Sequence, residues 1–249
     1  MRYALKVQYI GKNYAGSQLQ PDRPTIQEEL EKALGTLIIG KNAVDKRPIK
    51  VIFSGRTDAG VNSLGQVIHF DTKETIVASK FLYQINEILP DDISVTDLKE
   101  VDSKFHAQKS AKKRHYEYVF VNRKCKNAFD GDLMRIKYDI DIKRMQKALD
   151  YIKGEHDFSS FKSSGTLNPS KVCFIYEAKA EKVGDEVHIN IIGNRFLYNM
   201  VRAIVGTLLE IEGHNLLPEH MKDVLEAKDR RKAGQNVSPY GLTLIEVTY

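Results

Sequence analysis

An aspartate set between glycines at the end of an apolar run is the feature of this sequence most able to do chemistry. The segment reads Phe53-Ser54-Gly55-Arg56-Thr57-Asp58-Ala59-Gly60-Val61. It follows Val51 and Ile52 and leads to Gly65 and a second apolar run, Gln66-Val67-Ile68-His69-Phe70. Glycines at this spacing let the backbone turn sharply and let a ligand come close, which would present Thr57 and Asp58 at the mouth of a sheet. An aspartate beside an arginine in a turn is more often a turn-former with a surface ion pair. The residue types alone therefore leave a catalytic and a structural reading side by side.

Other chemistries find less to build on. Cys125 and Cys173 form no paired motif, which argues against a disulfide framework and against a cysteine-built metal site. No Gly-x-Gly-x-x-Gly loop and no Cys–His arrangement is present. A hydrolase working with two carboxylates would need a second placed acid, and none stands out. A phosphate-binding or Asp-dependent hydrolytic role would rest on the glycine-rich loop by itself.

The charge is mildly basic, 38 Lys and Arg against 33 Asp and Glu, so its distribution matters more than its sum. Between Lys104 and Lys126 eight basic residues (Lys104, Lys109, Lys112, Lys113, Arg114, Arg123, Lys124, Lys126) meet one acid, Glu117. Phe105, His106, His115, Tyr116 and Tyr118 interleave with them. Such a stretch can be a solvated loop and strand edge. It can equally stack aromatics on bases while cations meet phosphates.

The elements that must position these residues follow from periodicity. Residues 2–9 alternate, with Tyr3, Leu5, Val7 and Tyr9 on one face, and residues 114–121 repeat the pattern with Tyr116, Tyr118 and Phe120. Each strand precedes a helix. The first begins at Thr25, with Glu28 in capping-box spacing, carries Ile26, Leu30, Ala33, Leu34, Leu37 and Ile38, and stops at Gly40. The second, over 141–153, carries Met145, Leu149 and Ile152 and stops at Gly154. Further strands are expected near 49–54, 66–71, 172–181 and 186–192 and over Leu242–Val247. A helix from about Arg195 to Ile211 carries Phe196, Met200, Ile204, Leu208 and Ile211, and a shorter helix follows Pro218. The fold class is α+β: two similar lobes of mostly antiparallel sheet backed by helices, divided into residues 1–105 and 106–249. Hydrophobic residues are 42% and charged residues 29%, no window approaches the roughly 18 apolar residues of a membrane span, and Met1-Arg2-Tyr3-Ala4-Leu5-Lys6-Val7 lacks the features of a signal peptide. A cytoplasmic protein is the expectation.

The Gly55–Val61 loop resembles, residue for residue, the active-site loop of the tRNA pseudouridine synthase A family, and the likeness continues in order along the chain. Gly65-Gln66-Val67 with His69-Phe70 fits the next strand. Phe105-His106-Ala107, Ser110-Ala111, Arg114, Tyr116 and Tyr118 fit a third block, and Gly154-Glu155-His156-Asp157-Phe158 with Ser160-Phe161 a fourth. Gly193 to Tyr198, Met200-Val201-Arg202 and Gly206-Thr207-Leu208 fit a fifth, and Arg231, Ala233-Gly234 and Gly241-Leu242 a last. The resemblance implies a pseudouridine synthase fold with the two lobes around a central cleft. It implies an isomerase that turns uridine into pseudouridine at positions 38, 39 and 40 of the tRNA anticodon arm, with Asp58 as nucleophile and no metal or organic cofactor. By the same resemblance Arg202 is the cation that keeps Asp58 ionised, and it interrupts an otherwise apolar helix stripe where a charge needs a partner. Tyr116 stacks on the target base. Arg56 and Thr57 flank the nucleophile, with Arg56 contacting the RNA backbone or helping to extrude the nucleotide. Lys112, Lys113 and Arg114 are candidates for phosphate contacts. The partners implied are tRNA rather than DNA or a membrane, and a second copy of the chain in a homodimer.

Three positions depart from the family pattern. Ser17 stands where the family has Trp, Asn62 where it usually has His, and Gln108 where it has Arg. None touches Asp58, Tyr116 or Arg202 in the motif. Their loss of an aromatic, an imidazole and a guanidinium leaves open the same isomerisation on ribosomal or another structured RNA, and an RNA-binding paralogue without catalysis.

Overall fold

A computed structural model of the chain describes residues 1–40, 48–163 and 170–249. They form two compact units, Met1–Lys112 together with Leu244–Tyr249, and Lys113–Thr243. The division drawn from sequence at 105/106 falls within the first unit.

In the first unit, β1 (Arg2–Tyr9) buries Tyr3, Leu5, Val7 and Tyr9, the face its alternation predicts. After α1 (Ile26–Ile38) come β2 (Ile52–Phe53), β3 (Asn62–Asp71), α2 (Ala78–Asn86) and β4 (Ile93–Val101). Strands β3 and β4 flank β1, both antiparallel to it, and β2 lies antiparallel on β3. Helix α1 starts where Thr25 accepts a hydrogen bond from the Glu28 N–H at 3.3 Å. Ile26, Leu30, Ala33 and Leu34 then bury in one core with the β1 face, Ile68, Phe70, Phe81 and Ile85. The same helix reaches the strand that feeds the aspartate loop: buried Glu31 accepts the Val51 N–H at 3.2 Å. Sequence periodicity gives no element between 78 and 101. Helix α2 buries only Phe81 and Ile85 and exposes Tyr83, too little stripe to register.

The second unit holds β5 (Lys113–Asn122), β6 (Arg135–Ile136), α3 (Ile142–Asp150), β7 (Gly154–Asp157), β8 (Val172–Val183), β9 (Glu186–Gly193), α4 (Met200–Gly213) and α5 (His220–Ala227). Its sheet runs β5-β9-β8-β7 with antiparallel neighbours, and short β6 pairs parallel to β5. Tyr118 and Phe120 point into the core opposite Ile189 and Val187, and Tyr116 sits half-buried opposite Ile191. Asp141 caps α3 through the N–H groups of Lys143 and Arg144. Arg144 then grips nearly buried Glu212 of α4 with two hydrogen bonds, at 2.7 and 2.8 Å. The final strand β10 (Leu242–Thr248) returns beside β3 in the first unit.

Helix α4 differs from its predicted span. It starts at Met200 rather than near Arg195, because Asn199 takes a left-handed conformation (φ 61°) that a helix cannot pass through, so Phe196 lies before it. Likewise α5 begins at His220, with Pro218 outside it accepting the Met221 N–H at 3.1 Å. Among the described residues no helix is long and apolar enough to cross a membrane.

Helix α4 is positioned by a close backbone approach. A Cβ on Gly206 would collide with the Gln235 carbonyl oxygen, and one on Gly234 would collide with the Gly206 carbonyl. The Gly234 N–H donates to the Thr207 hydroxyl at 2.9 Å in the same contact. Gly206→Ala has backbone, not a flexible side chain, to displace. It should cost about 2–3 kcal/mol, within the range for an overpacked core, and a urea midpoint equal to wild type would show that the approach is not tight.

Candidate active site

The nominated residues divide between the units. Arg56, Thr57, Asp58 and Lys112 lie in the first; Lys113, Arg114, Tyr116 and Arg202 lie in the second.

In the first unit the chain leaves β2 at Phe53 and turns through residues 54–61 into β3, with the Asp58 carbonyl accepting the Val61 N–H at 3.1 Å. Arg56 is exposed, Thr57 buried and Asp58 half-buried. Thr57 is the fixed point. Its N–H donates to the Ser17 hydroxyl at 2.9 Å, its carbonyl accepts the Ser17 N–H at 3.1 Å, and its hydroxyl shares a 2.8 Å hydrogen bond with Tyr9. The clasp requires Gly16, whose φ is 107° and on which a Cβ would lie 2.8 Å from the Thr57 carbonyl oxygen. From the other side, Gln66 of β3 reaches under the loop. Its amide nitrogen donates to the Gly55 carbonyl at 3.0 Å and the Tyr9 hydroxyl at 3.4 Å, and its amide oxygen accepts from the Ser54 hydroxyl at 2.5 Å.

Every member of this network is uncharged and buried: Tyr9, Ser17, Ser54, Thr57 and Gln66. Burial pushes the Tyr9 phenol above its ordinary pKa, so it stays a neutral hydroxyl. Neutral groups can orient a loop in a dry site at less desolvation cost than charges, provided each is satisfied. Sequence reasoning missed this support. It read Tyr9 as core, Gln66 as part of a motif and Ser17 as a lost aromatic. The structure gives Ser17 a closed pair of hydrogen bonds to the residue before Asp58. A second departure, Asn62, accepts the Gly11 N–H at 2.9 Å, and the third, Gln108, is exposed. Further along β3, His69 is 2% exposed and accepts the Ala107 N–H at 3.1 Å. Burial, then the charges of Arg2 and His106, hold its imidazole down to about 4, so it is a neutral core residue at physiological pH.

In the second unit, Tyr116 meets the ring of Phe196 edge-on, centroids 5.1 Å apart. Arg114 donates to the Asn194 carbonyl at 2.6 Å, and exposed Lys113 lies 4.7 Å over the Tyr176 ring. Lys112, exposed in the first unit, donates its backbone N–H to Thr248 at 2.8 Å. Of the basic run, Arg123 is committed to Asp130 and Asp185. Arg202 is the third residue of α4. Its Nε donates to the Val237 carbonyl and its Nη1 to Asn199 Oδ1, both at 2.8 Å. Tyr118 donates to the Ser238 carbonyl at 3.0 Å; burial pushes its pKa up, and the Arg202 charge opposes that rise. Among the described residues no group of three or more His, Cys, Asp or Glu could hold a metal ion.

Gln66→Leu keeps the volume and removes the amide, so the hydrogen bonds that it makes with the Ser54 hydroxyl, the Gly55 carbonyl and the Tyr9 hydroxyl are lost. The expected loss is about 1–3 kcal/mol of stability, the scale of hydrogen bonds lost from a buried network, measured by denaturant unfolding. A loss below about 0.5 kcal/mol would mean that the amide does not hold the loop.

The family model described as tRNA pseudouridine synthase matches residues 5–108 and 148–249. The tRNA pseudouridine synthase A of Brevibacillus brevis is 42% identical over 242 residues, covering 97% of this chain and 96% of the relative. That of Exiguobacterium sibiricum is 43% identical over 249 residues, covering 100% and 96%. Among solved structures, a chain of a Cbf5-Nop10-Gar1 complex aligns with a TM-score of 0.36 and 10% identity over 84% of this chain and 54% of that one, a likeness too slight to argue from. With a family match over most of its length and relatives above 40% identity end to end, this chain belongs to the tRNA pseudouridine synthase family.

Proposed function

We propose that this protein isomerises uridine to pseudouridine in tRNA, at positions 38, 39 and 40 of the anticodon arm, with Asp58 as the nucleophile. The observation that carries the reading is the clasp on Thr57. The residue before the aspartate is held through its N–H, carbonyl and hydroxyl by neutral buried partners, so the next side chain is aimed by the scaffold rather than by a flexible loop.

The reaction breaks the N1–C1′ bond, turns the uracil, and joins C5 to C1′; the C5 proton is lost and N1 gains one. Nothing is oxidised or reduced overall, so a carboxylate nucleophile and proton transfers suffice. Arg202 is the cation that keeps the Asp58 carboxylate ionised in a dry site. Tyr116 stacks on the target base, and Arg56 contacts the RNA backbone or assists in extruding the nucleotide. Lys112, Lys113 and Arg114 meet phosphates. The working form is a cytoplasmic homodimer whose two subunits share one tRNA. In this reading Ser17 and Asn62 serve the loop and its surroundings, so these departures leave the chemistry intact.

The test is a pseudouridine map of total RNA incubated with wild-type protein, Asp58→Ala and Arg202→Ala. New pseudouridines are expected at tRNA positions 38 to 40 with wild type and none with Asp58→Ala. For Arg202→Ala we expect turnover down by at least about 100-fold, the scale of a lost electrostatic group at a reacting centre, with tRNA affinity largely kept. Pseudouridine in ribosomal RNA instead would move the substrate. None anywhere would leave an RNA-binding protein.

A further inference from the structure

Three local costs coincide at the start of α4. Asn199 is a non-glycine residue in the left-handed region, φ 61° and ψ 10°. It occupies the N-cap, a position where asparagine is favoured because its side chain accepts a backbone N–H, yet it makes no such bond. Arg202, in the first turn, puts a cation at the positive end of the helix dipole. Local rules broken together at one place mark a site kept for function rather than for stability.

The Asn199 amide is spent elsewhere. Its Oδ1 accepts from Arg202 Nη1 at 2.8 Å, and its Nδ2 donates to the Ser163 hydroxyl at 3.0 Å. Ser163 is held in turn by Asn236 Nδ2 at 3.2 Å, and Asn236 by Arg230 at 2.9 Å. Arg202 also donates to the Val237 carbonyl, two residues beyond the approach that brings Gly234 and Gln235 against Gly206 of α4. The Asn199 amide and the Val237 carbonyl are both neutral acceptors. They orient the guanidinium without cancelling its charge, whereas a carboxylate at 199 would orient it equally well and neutralise it.

We propose that Asn199 is a positioning residue, whose side-chain amide aims the Arg202 guanidinium for the isomerisation while leaving its charge to act on the reaction. The proposal rests on the function given above. It explains why the chain tolerates a left-handed asparagine that does not cap its helix.

The test uses a tRNA transcript made with uridine tritiated at C5, because the C5 hydrogen leaves when C5 bonds to C1′. Single-turnover tritium release and tRNA affinity are measured for wild type, Asn199→Gly, Asn199→Asp, Asp58→Ala and Arg202→Ala. Glycine keeps the left-handed backbone without strain, so Asn199→Gly should fold with a Tm equal to or above wild type. Its tRNA affinity should stay within about two-fold, while release slows by roughly 10- to 100-fold, the penalty of a misplaced group. Asn199→Asp should also release slowly, because it pairs with Arg202. Wild-type rates in either Asn199 variant, with Asp58→Ala and Arg202→Ala inactive, would overturn this inference alone. Wild-type rates in Asp58→Ala or Arg202→Ala would overturn the function it rests on, and the inference with it.

Discussion

The loop of the first unit that carries Asp58 is held at Thr57, through its backbone by Ser17 and through its hydroxyl by Tyr9. In the proposed function the half-buried Asp58 carboxylate has to be held with its neighbours unable to drift. The chain meets this with hydrogen bonds from three directions: Ser17 from the segment before α1, Tyr9 from β1 and Gln66 from β3. Each of these sits on an element with its own reason to be rigid. Helix α1 is capped by Thr25 and packed on the β1 face, and its Glu31 also ties down Val51, where the chain enters the loop region. Apolar packing sets the elements, and a small neutral polar network converts that rigidity into the placement of one residue.

The second unit solves a different problem, the placement of a cation. Arginine is a long side chain with much rotamer freedom to lose, and here it projects from a helix whose other first-turn residues are buried. Two neutral acceptors restrain it, and they lie at or beside backbone features that cost stability or tolerate no substitution: the left-handed Asn199 and the glycine pair at 206 and 234. Stability is traded for geometry at that point, while bulk stability comes from elsewhere, such as the Arg144–Glu212 pair and the aromatic core of β5.

How much of this the sequence discloses depends on how local the signal is. Strand β1, the Thr25 cap, α1, β8, β9 and β10 are legible because period and cap chemistry are written in adjacent residues. Helix α2 and β4 are not, since α2 buries two side chains and leaves little pattern. The start of α4 is misplaced because an apolar stripe continues through Phe196, and nothing in the residue types announces the left-handed turn at Asn199. The return of Leu244–Tyr249 to the first unit is invisible too, because an alternating strand does not name its neighbour. For the proposed site, the motif singles out Asp58, and the residues that hold its loop are dispersed over Tyr9, Ser17 and Gln66. Ser17 in particular reads as a deficit when compared with a family pattern. Only the fold shows a hydroxyl closing on Thr57.

The central claim is that a carboxylate at position 58, aimed by this neutral network, forms the bond that starts the isomerisation. Asp58→Asn tests it most directly, since it keeps the shape and replaces one carboxylate oxygen by an amide nitrogen, which removes the charge and the nucleophilicity. Tritium release from C5-labelled tRNA should fall by about 10⁴-fold or more, the scale seen when a nucleophile is lost, with tRNA affinity and unfolding midpoint close to wild type. Release within a few-fold of wild type would contradict the account, because the carboxylate would then be a structural residue in a turn.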